Sequence, residues 1–171
     1  LICEHSRTHS LGLIINKPIH TPSIKEIASD FGIVNVKRQP NQYMFYGGPV
    51  NLNKVMVLHT PDAEFGSGTQ KFNDEIWMSN TPQCLNSILN HGQTGPSNWM
   101  ICIGQCTWSA GQLESEILSR NGRMNTDAWL TTSLNANTVF GMKYQNRWKK
   151  TVNRIAQEQF RRTFNHAVQT Q

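Results

Sequence analysis

Three residues near the start of the chain have types suited to thiol chemistry. Cys3-Glu4-His5 places a thiol two residues from an imidazole, and side chains two apart on a β-strand share one face. A neighbouring histidine can lower the pKa of a cysteine and activate it as a nucleophile. His59, on another predicted strand, could join them. Cys3, His5 and His59 are therefore the candidate catalytic group, with a buried and inert Cys3 as the alternative.

A second set of residues has types suited to binding a small ligand. Gly47-Gly48-Pro49-Val50 could present backbone amides to an anion. However, Pro49 removes one donor, and the segment has neither the lysine nor the spacing of a phosphate loop. The alternative is a structural turn that requires glycine. The candidate ligand-binding residues are Asn16, Lys17, Gly47, Gly48, Gln112 and Glu116.

Positive charge is concentrated at the C-terminal end of the chain. The net charge is +5, yet residues 143–171 hold seven Lys or Arg and one Glu, while residues 1–142 hold nine Lys or Arg and ten acidic residues. A basic stripe along a helix could contact nucleic acid phosphates or an acidic protein. The alternative is a solvated helix face. The candidate contacts are Lys150, Arg154, Arg161 and Arg162, on a stripe that also includes Lys143 and Arg147.

Length and composition restrict the class of protein. A chain of 171 residues suits one domain with a sizeable core. No apolar run approaches the roughly 18 residues that span a bilayer, and no secretory signal is present. We therefore predict a cytoplasmic protein without membrane contact. The four cysteines lack the spacing of a zinc site, so we predict reduced thiols, no bound metal and no cofactor.

Strand-like and helix-like patterns alternate along the sequence. Apolar runs predict strands near residues 11–15, 43–46, 55–59, 75–78, 99–103 and 138–140. The pairs Thr21-Pro22 and Thr81-Pro82 predict helix starts, and a last helix begins near Tyr144. After the strand over 99–103, a tight turn at Gly104 leads to a helix capped by Ser109 with Gln112. Several neighbouring strands look antiparallel, which indicates an α+β protein with a mixed sheet.

Five ordered blocks of sequence resemble one family. They are Cys3-Glu4-His5, residues 12–18, residues 46–50, Val57-Leu58-His59, and Gly104 with residues 108–117. Together they resemble the YqgE/AlgH family of small bacterial cytosolic proteins, over roughly residues 1–150. The resemblance implies an α+β fold around a strongly bent, partly barrel-like sheet flanked by helices. It also implies a transcriptional regulator, without an established reaction.

The chain departs from the family pattern in four places. The usual N-terminal segment ahead of Cys3 is absent, and Gln105-Cys106 replaces an aromatic and a small residue. An insertion follows the helix that carries Glu116, and residues 151–171 differ from the usual family ending. The last departure coincides with the positive charge. A function carried there would be particular to this protein and its close relatives.

These observations lead to one favoured function and two alternatives. We expect a single YqgE/AlgH-like domain over residues 1–171, with residues 143–171 as a basic C-terminal helical segment. The favoured function is that of a non-enzymatic regulatory or interaction protein that acts on transcription through this segment. One alternative is a thiol-dependent enzyme or redox sensor that uses Cys3 with His5 or His59. The other is a small-molecule site near residues 47–50 and His59.

Overall fold

The computed structural model describes residues 1–34, 36, 43–90, 95–118 and 129–169, with side chains described as far as residue 161. The strands within these ranges are β1 (Ile2–His5), β2 (His9–Gly12), β3 (Pro18–Ile19), β4 (Met44–Tyr46), β5 (Val50–His59), β6 (Thr69–Lys71), β7 (Trp77–Ser79) and β8 (Trp99–Ser109). The α-helices are α1 (Ile24–Asp30), α2 (Pro82–Asn90), α3 (Gln112–Ile117) and α4 (Tyr144–Gln169). A 3₁₀ turn covers Gly66–Gly68 and a π-helical turn covers Asn137–Gly141.

The sheet is organised around β8. Its strand order is β1-β2-β8-β5-β7-β6, and β4 pairs with both β3 and β8. The first half of β8 pairs antiparallel with β5 and parallel with β4, whereas its second half pairs with β2. Gly104 lies between the halves at φ +72°, a conformation that favours glycine. The predicted α+β class and the bent, partly barrel-like sheet are confirmed.

The central strands are buried on both faces. Along β5, Val55 and Val57 pack toward α1 and α2, while Met56 and Leu58 pack on the opposite face. This two-sided burial explains why β5 and β8 read as continuous apolar runs instead of alternating patterns. The first cluster includes Ile27, Leu85, Leu89, Ile101 and Ile103. The second cluster includes Cys3, Leu13, Phe45, Met100, Cys102 and Val139.

The first two helices begin with different caps. Helix α2 begins at Pro82 as predicted, with the Cys84 amide donating to Thr81 Oγ1 at 3.3 Å. Helix α1 begins at Ile24 and is capped by Ser23, so the predicted cap at Thr21 is wrong. The Ser23 amide donates to Glu26 Oε2 at 2.7 Å, and the Glu26 amide donates to Ser23 Oγ. This capping box satisfies two amides, which explains the later start.

Two other local predictions are wrong. Strand β8 continues through Gly104 to Ser109, and α3 begins only at Gln112. Ser109 therefore does not cap α3, although its amide donates to Gln112 Oε1 at 3.0 Å. Residues 138–140 form the π-helical turn instead of a strand, since Asn135 Oδ1 accepts from both the amide and the hydroxyl of Thr138. The insertion after α3 lies outside the described residues.

The C-terminal segment forms one helix. Helix α4 extends over Tyr144–Gln169 and is the longest helix described. No helix in the described part of the chain is both long enough and apolar enough to cross a bilayer.

Candidate functional site

Cys3 lies in the core. The β1–β2 register shifts between Ile2 and Glu4, which marks a bulge at Cys3. Cys3 is 8% exposed and belongs to the second cluster. Burial raises the pKa of the Cys3 thiol to about 12. At neutral pH the thiol is therefore protonated, which opposes its use as a nucleophile.

His5 lies on the other side of β1. Glu4 pairs with Leu11, which packs on the second cluster together with Cys3, whereas His5 pairs with Ser10. His5 Nδ1 is 2.8 Å from Ser10 Oγ, and its Nε2 is 3.5 Å from an oxygen of Glu114. The bulge adds one residue and breaks the alternation of side chains. The predicted sharing of one face by Cys3 and His5 is therefore wrong.

His59 is fully buried and has its own hydrogen-bond partners. Its Nδ1 lies 2.8 Å from Thr60 O and its Nε2 lies 2.9 Å from Ser79 Oγ. Because a carbonyl can only accept, Nδ1 carries the proton and Nε2 accepts from the Ser79 hydroxyl. Ser79 Oγ is in turn 2.8 Å from Thr69 Oγ1. Burial lowers the pKa of His59, so this neutral side chain links β5, β6 and β7.

The remaining thiols give no better nucleophile. All four cysteines are free, and burial raises the pKa of Cys84 and of Cys102 to about 12. Burial also raises the pKa of the half-buried Cys106. Among the described residues, no three His, Cys, Asp or Glu side chains form a group that could hold a metal ion.

The glycine segment packs tightly against β8. The Gly47 amide donates to Ile103 O at 2.7 Å, so this amide is not directed toward a ligand. A Cβ at Gly47 would lie 2.2 Å from Gly104 O, and one at Gly48 would lie 2.2 Å from the carbonyl carbon of Gln105. The absence of side chains thus allows two backbones to approach closely. This geometry favours the structural alternative.

The other ligand-binding candidates fall into two groups. Asn16 and Lys17 are exposed beside the glycine segment, where Lys17 Nζ lies 4.5 Å from the ring centre of Tyr46. Gln112 and Glu116 lie instead around Trp108. Trp108 Nε1 donates to Glu116 Oε2 at 3.2 Å, and Gln112 Nε2 donates to Glu116 Oε1 at 3.4 Å. The Glu116 carboxylate therefore holds the Trp108 indole ring against α3, and Gln112 holds the carboxylate.

Two arginines of the predicted basic stripe face the body of the protein. Arg147 is 6% exposed and donates to the carbonyl oxygens of Ile15, Thr138 and Val139. Arg154 donates to Thr132 Oγ1, Thr138 Oγ1 and Ser133 O. Both side chains therefore attach α4 to the segments beneath it.

The remaining basic candidates are Lys150, Arg161 and Arg162. Lys150 and Arg161 are exposed, as is Lys149, which sequence reasoning did not single out. Arg162 lies beyond the residues whose side chains the structure describes.

Sequence reasoning also missed a cavity at the N-terminal end of α4. Its volume is about 510 Å³, and it lies between β4, the start of β8 and the π-helical turn. Aromatic rings and two cationic side chains line it. They are those of Tyr43, Phe45, Phe140, Tyr144, Lys143 and Arg147. Trp99 also borders the cavity, but its side chain packs on the first cluster. The sequence signal is the spacing of Phe140, Lys143, Tyr144 and Arg147, but their convergence with Tyr43 and Trp99 requires the fold.

Comparisons with known proteins agree on one family. A sequence profile described as AlgH-like matches residues 1–159. A UPF0301 protein of Serratia proteamaculans is 28% identical over 158 residues, which is 90% of this chain and 79% of that protein. A UPF0301 protein of Pectobacterium atrosepticum is 29% identical with the same coverage.

Solved structures show the same relationship. The solution structure of AlgH from Pseudomonas aeruginosa gives a TM-score of 0.71 at 26% identity, covering 90% of this chain and 76% of its own. A crystal structure of a Corynebacterium diphtheriae protein gives a TM-score of 0.52 at 22% identity, covering 72% of this chain and 62% of its own. The second likeness concerns the fold alone.

Proposed function

The chain belongs to the AlgH-like family, and from this premise we propose that it is a non-enzymatic regulatory protein that binds nucleic acid through α4. The family resemblance supplies the idea of regulation, and the surface of α4 supplies the binding chemistry. Control of transcription is the form of regulation that DNA binding would serve. The proposal places the protein in the cytoplasm, which agrees with its four free thiols.

The outward face of α4 carries the proposal. Lys149, Lys150 and Arg161 are exposed on this face, interspersed with the exposed amides Asn153 and Gln157. Cations mixed with amide side chains are typical of surfaces that contact phosphates. The only acidic residue of residues 143–171 is Glu158. It lies 3.8 Å from Arg154, one of the inward-facing arginines, so no carboxylate of α4 among the described side chains offsets the positive charge of the outward face.

The positions of Cys3, His5 and His59 do not favour the thiol-dependent alternative. Cys3 is buried with a pKa of about 12, and neither candidate histidine is oriented toward it. His5 is engaged by Ser10 and Glu114, while His59 is engaged by Thr60 and Ser79. A base that lacks contact with the thiol cannot activate it.

The test measures DNA binding as a function of salt. Fluorescence anisotropy with a labelled duplex of about 20 base pairs gives the association constant between about 50 and 300 mM NaCl. The α4 variant combines Lys149→Gln, Lys150→Gln and Arg161→Gln. The matched control combines Arg7→Gln, Lys25→Gln and Lys54→Gln, which are exposed residues outside α4. Both triple variants lose the same charge.

We expect the α4 variant alone to lose affinity and to have a salt slope shallower by up to about 2.7, or about 0.9 for each phosphate contact. Equal weakening by both triple variants would show that only net charge matters and would overturn the proposal. If the protein binds a polyglutamate peptide but not DNA, the nucleic-acid proposal is wrong and the partner of α4 is an acidic protein.

A further inference from the structure

The cavity at the N-terminal end of α4 has the size of a small-molecule site and contains both aromatic and cationic residues. Its volume of about 510 Å³ falls within the range of roughly 300–1,000 Å³ that such sites occupy. The ring centres of Tyr43 and Tyr144 are 5.2 Å apart at an angle of 74°, and those of Phe45 and Tyr144 are 6.2 Å apart at 73°. Because these rings meet edge to face, the group presents both ring edges and ring faces, and an aromatic ligand can pack against either.

Arg147 contributes a buried positive charge to the same cavity. Its guanidinium lies 5.2 Å from the ring centre of Phe45 and is held by three neutral carbonyl oxygens. Within the part of the chain that the structure describes, no carboxylate forms an ion pair with it. Buried charges are normally paired. A guanidinium has five N–H donors, so two remain beyond the three that these bonds use.

The surroundings of Arg147 add charge of the same sign. Lys143 lines the cavity and is exposed. Helix α4 begins at Tyr144, has 26 residues and has no acidic residue in its first turn, so its positive dipole end is not offset locally. A buried cation, a cation at the mouth and a helix N-terminus thus converge on one cavity. All three favour a negative group.

We propose that this cavity binds a small aromatic carboxylate. The ring of the ligand packs against Tyr43 and Tyr144, and its carboxylate takes the two remaining N–H donors of Arg147, with Lys143 at the mouth. The single buried charge selects a single negative group, and the aromatic walls select a flat apolar body. This site is separate from the outward face of α4 and does not depend on the DNA-binding proposal.

The test compares two probes that differ in charge. They are 2-naphthoate and the neutral 2-naphthamide, added to the full chain and followed by ¹⁵N chemical shifts. We expect 2-naphthoate to shift the amides of Trp99, Phe140 and Tyr144 and to bind at least about tenfold more tightly than 2-naphthamide, since a charge-assisted hydrogen bond is lost in the amide.

Variants of exposed lysines avoid the risk that loss of Arg147 unfolds the protein. Lys143→Gln should weaken the binding of 2-naphthoate about two- to fivefold, the range for an exposed ion contact, and leave the affinity for 2-naphthamide unchanged. Lys149→Gln removes the same charge from α4 outside the cavity and should change neither probe. Equal affinity for both probes, shifts located away from the cavity, or no binding at millimolar concentration would overturn the proposal.

Discussion

Replacing Gly47 by alanine tests whether this glycine serves the packing of the sheet or a bound ligand. The new Cβ would lie 2.2 Å from Gly104 O, 3.1 Å from Leu13 Cδ2 and 3.2 Å from Cys102 Cβ. The leucine side chain can move, but the oxygen belongs to the backbone of β8. An ordinary contact requires the two backbones to separate by about 1 Å. That movement breaks the 2.7 Å bond from the Gly47 amide to Ile103 O.

The two effects determine the expected destabilisation. Overpacking costs about 1–3 kcal/mol, and a buried hydrogen bond left unmade costs about 1–3 kcal/mol. Gly47→Ala should therefore lower the free energy of unfolding by about 4 kcal/mol. For a chain of this length, 1 kcal/mol corresponds to about 2–4 °C, so Tm should fall by about 8–16 °C. Urea denaturation followed by circular dichroism measures the first quantity and calorimetry the second.

Gly66→Ala is the matched control. Gly66 has φ +72°, and apart from its own turn and chain neighbours no atom would lie within 4 Å of an added Cβ, so alanine there costs only the backbone strain of about 1–2 kcal/mol. If Gly47→Ala destabilises the protein no more than Gly66→Ala, the packing argument is wrong. Gly47 would then again be a candidate for ligand binding.

Two further predictions concern titratable groups. Because burial lowers the pKa of His59, the unfolded chain takes up a proton below about pH 6.5 that the folded chain does not. Stability should then fall by up to about 1.4 kcal/mol per pH unit as the pH decreases toward the folded pKa. Urea denaturation against pH should show a weaker dependence for His59→Asn, and equal slopes would contradict this account. For the thiols, iodoacetamide at about pH 7.5 should label Cys106 first, since it is half-buried, while Cys3, with a pKa of about 12, should react only on unfolding. Mass spectrometry of timed samples measures the labelling rate of each cysteine. If Cys3 of the folded protein reacts before Cys106, the thiol hypothesis is restored.

The sequence predicted the parts of the fold that depend on local chemistry. The Thr81-Pro82 cap fixed the start of α2 because the hydroxyl and the proline ring act within one turn. The apolar runs of β5 and β8 located the central strands because both faces are buried. The strand and helix patterns indicated an α+β protein with a mixed sheet, and the resemblance added the strong bend and the partly barrel-like shape of that sheet.

The sequence could not predict features set by contacts between distant segments. The bulge at Cys3 arises from its register against β2, so strict alternation placed His5 on the wrong face. Arg147 is spaced like a surface cation, but Ile15 O and Val139 O draw it inward. The cavity likewise joins residues about 100 positions apart. Each of these features requires the tertiary structure.

The position of β8 in the chain has a consequence for biosynthesis. Strands β2, β4 and β5 all bond to β8, yet β8 ends only at Ser109. On the ribosome these three strands emerge before the strand that joins them. Until β8 emerges, the edges of these strands that bond to β8 are unpaired and can pair with other chains. Nascent chains from which β8 has not yet emerged should therefore be the form most dependent on a chaperone.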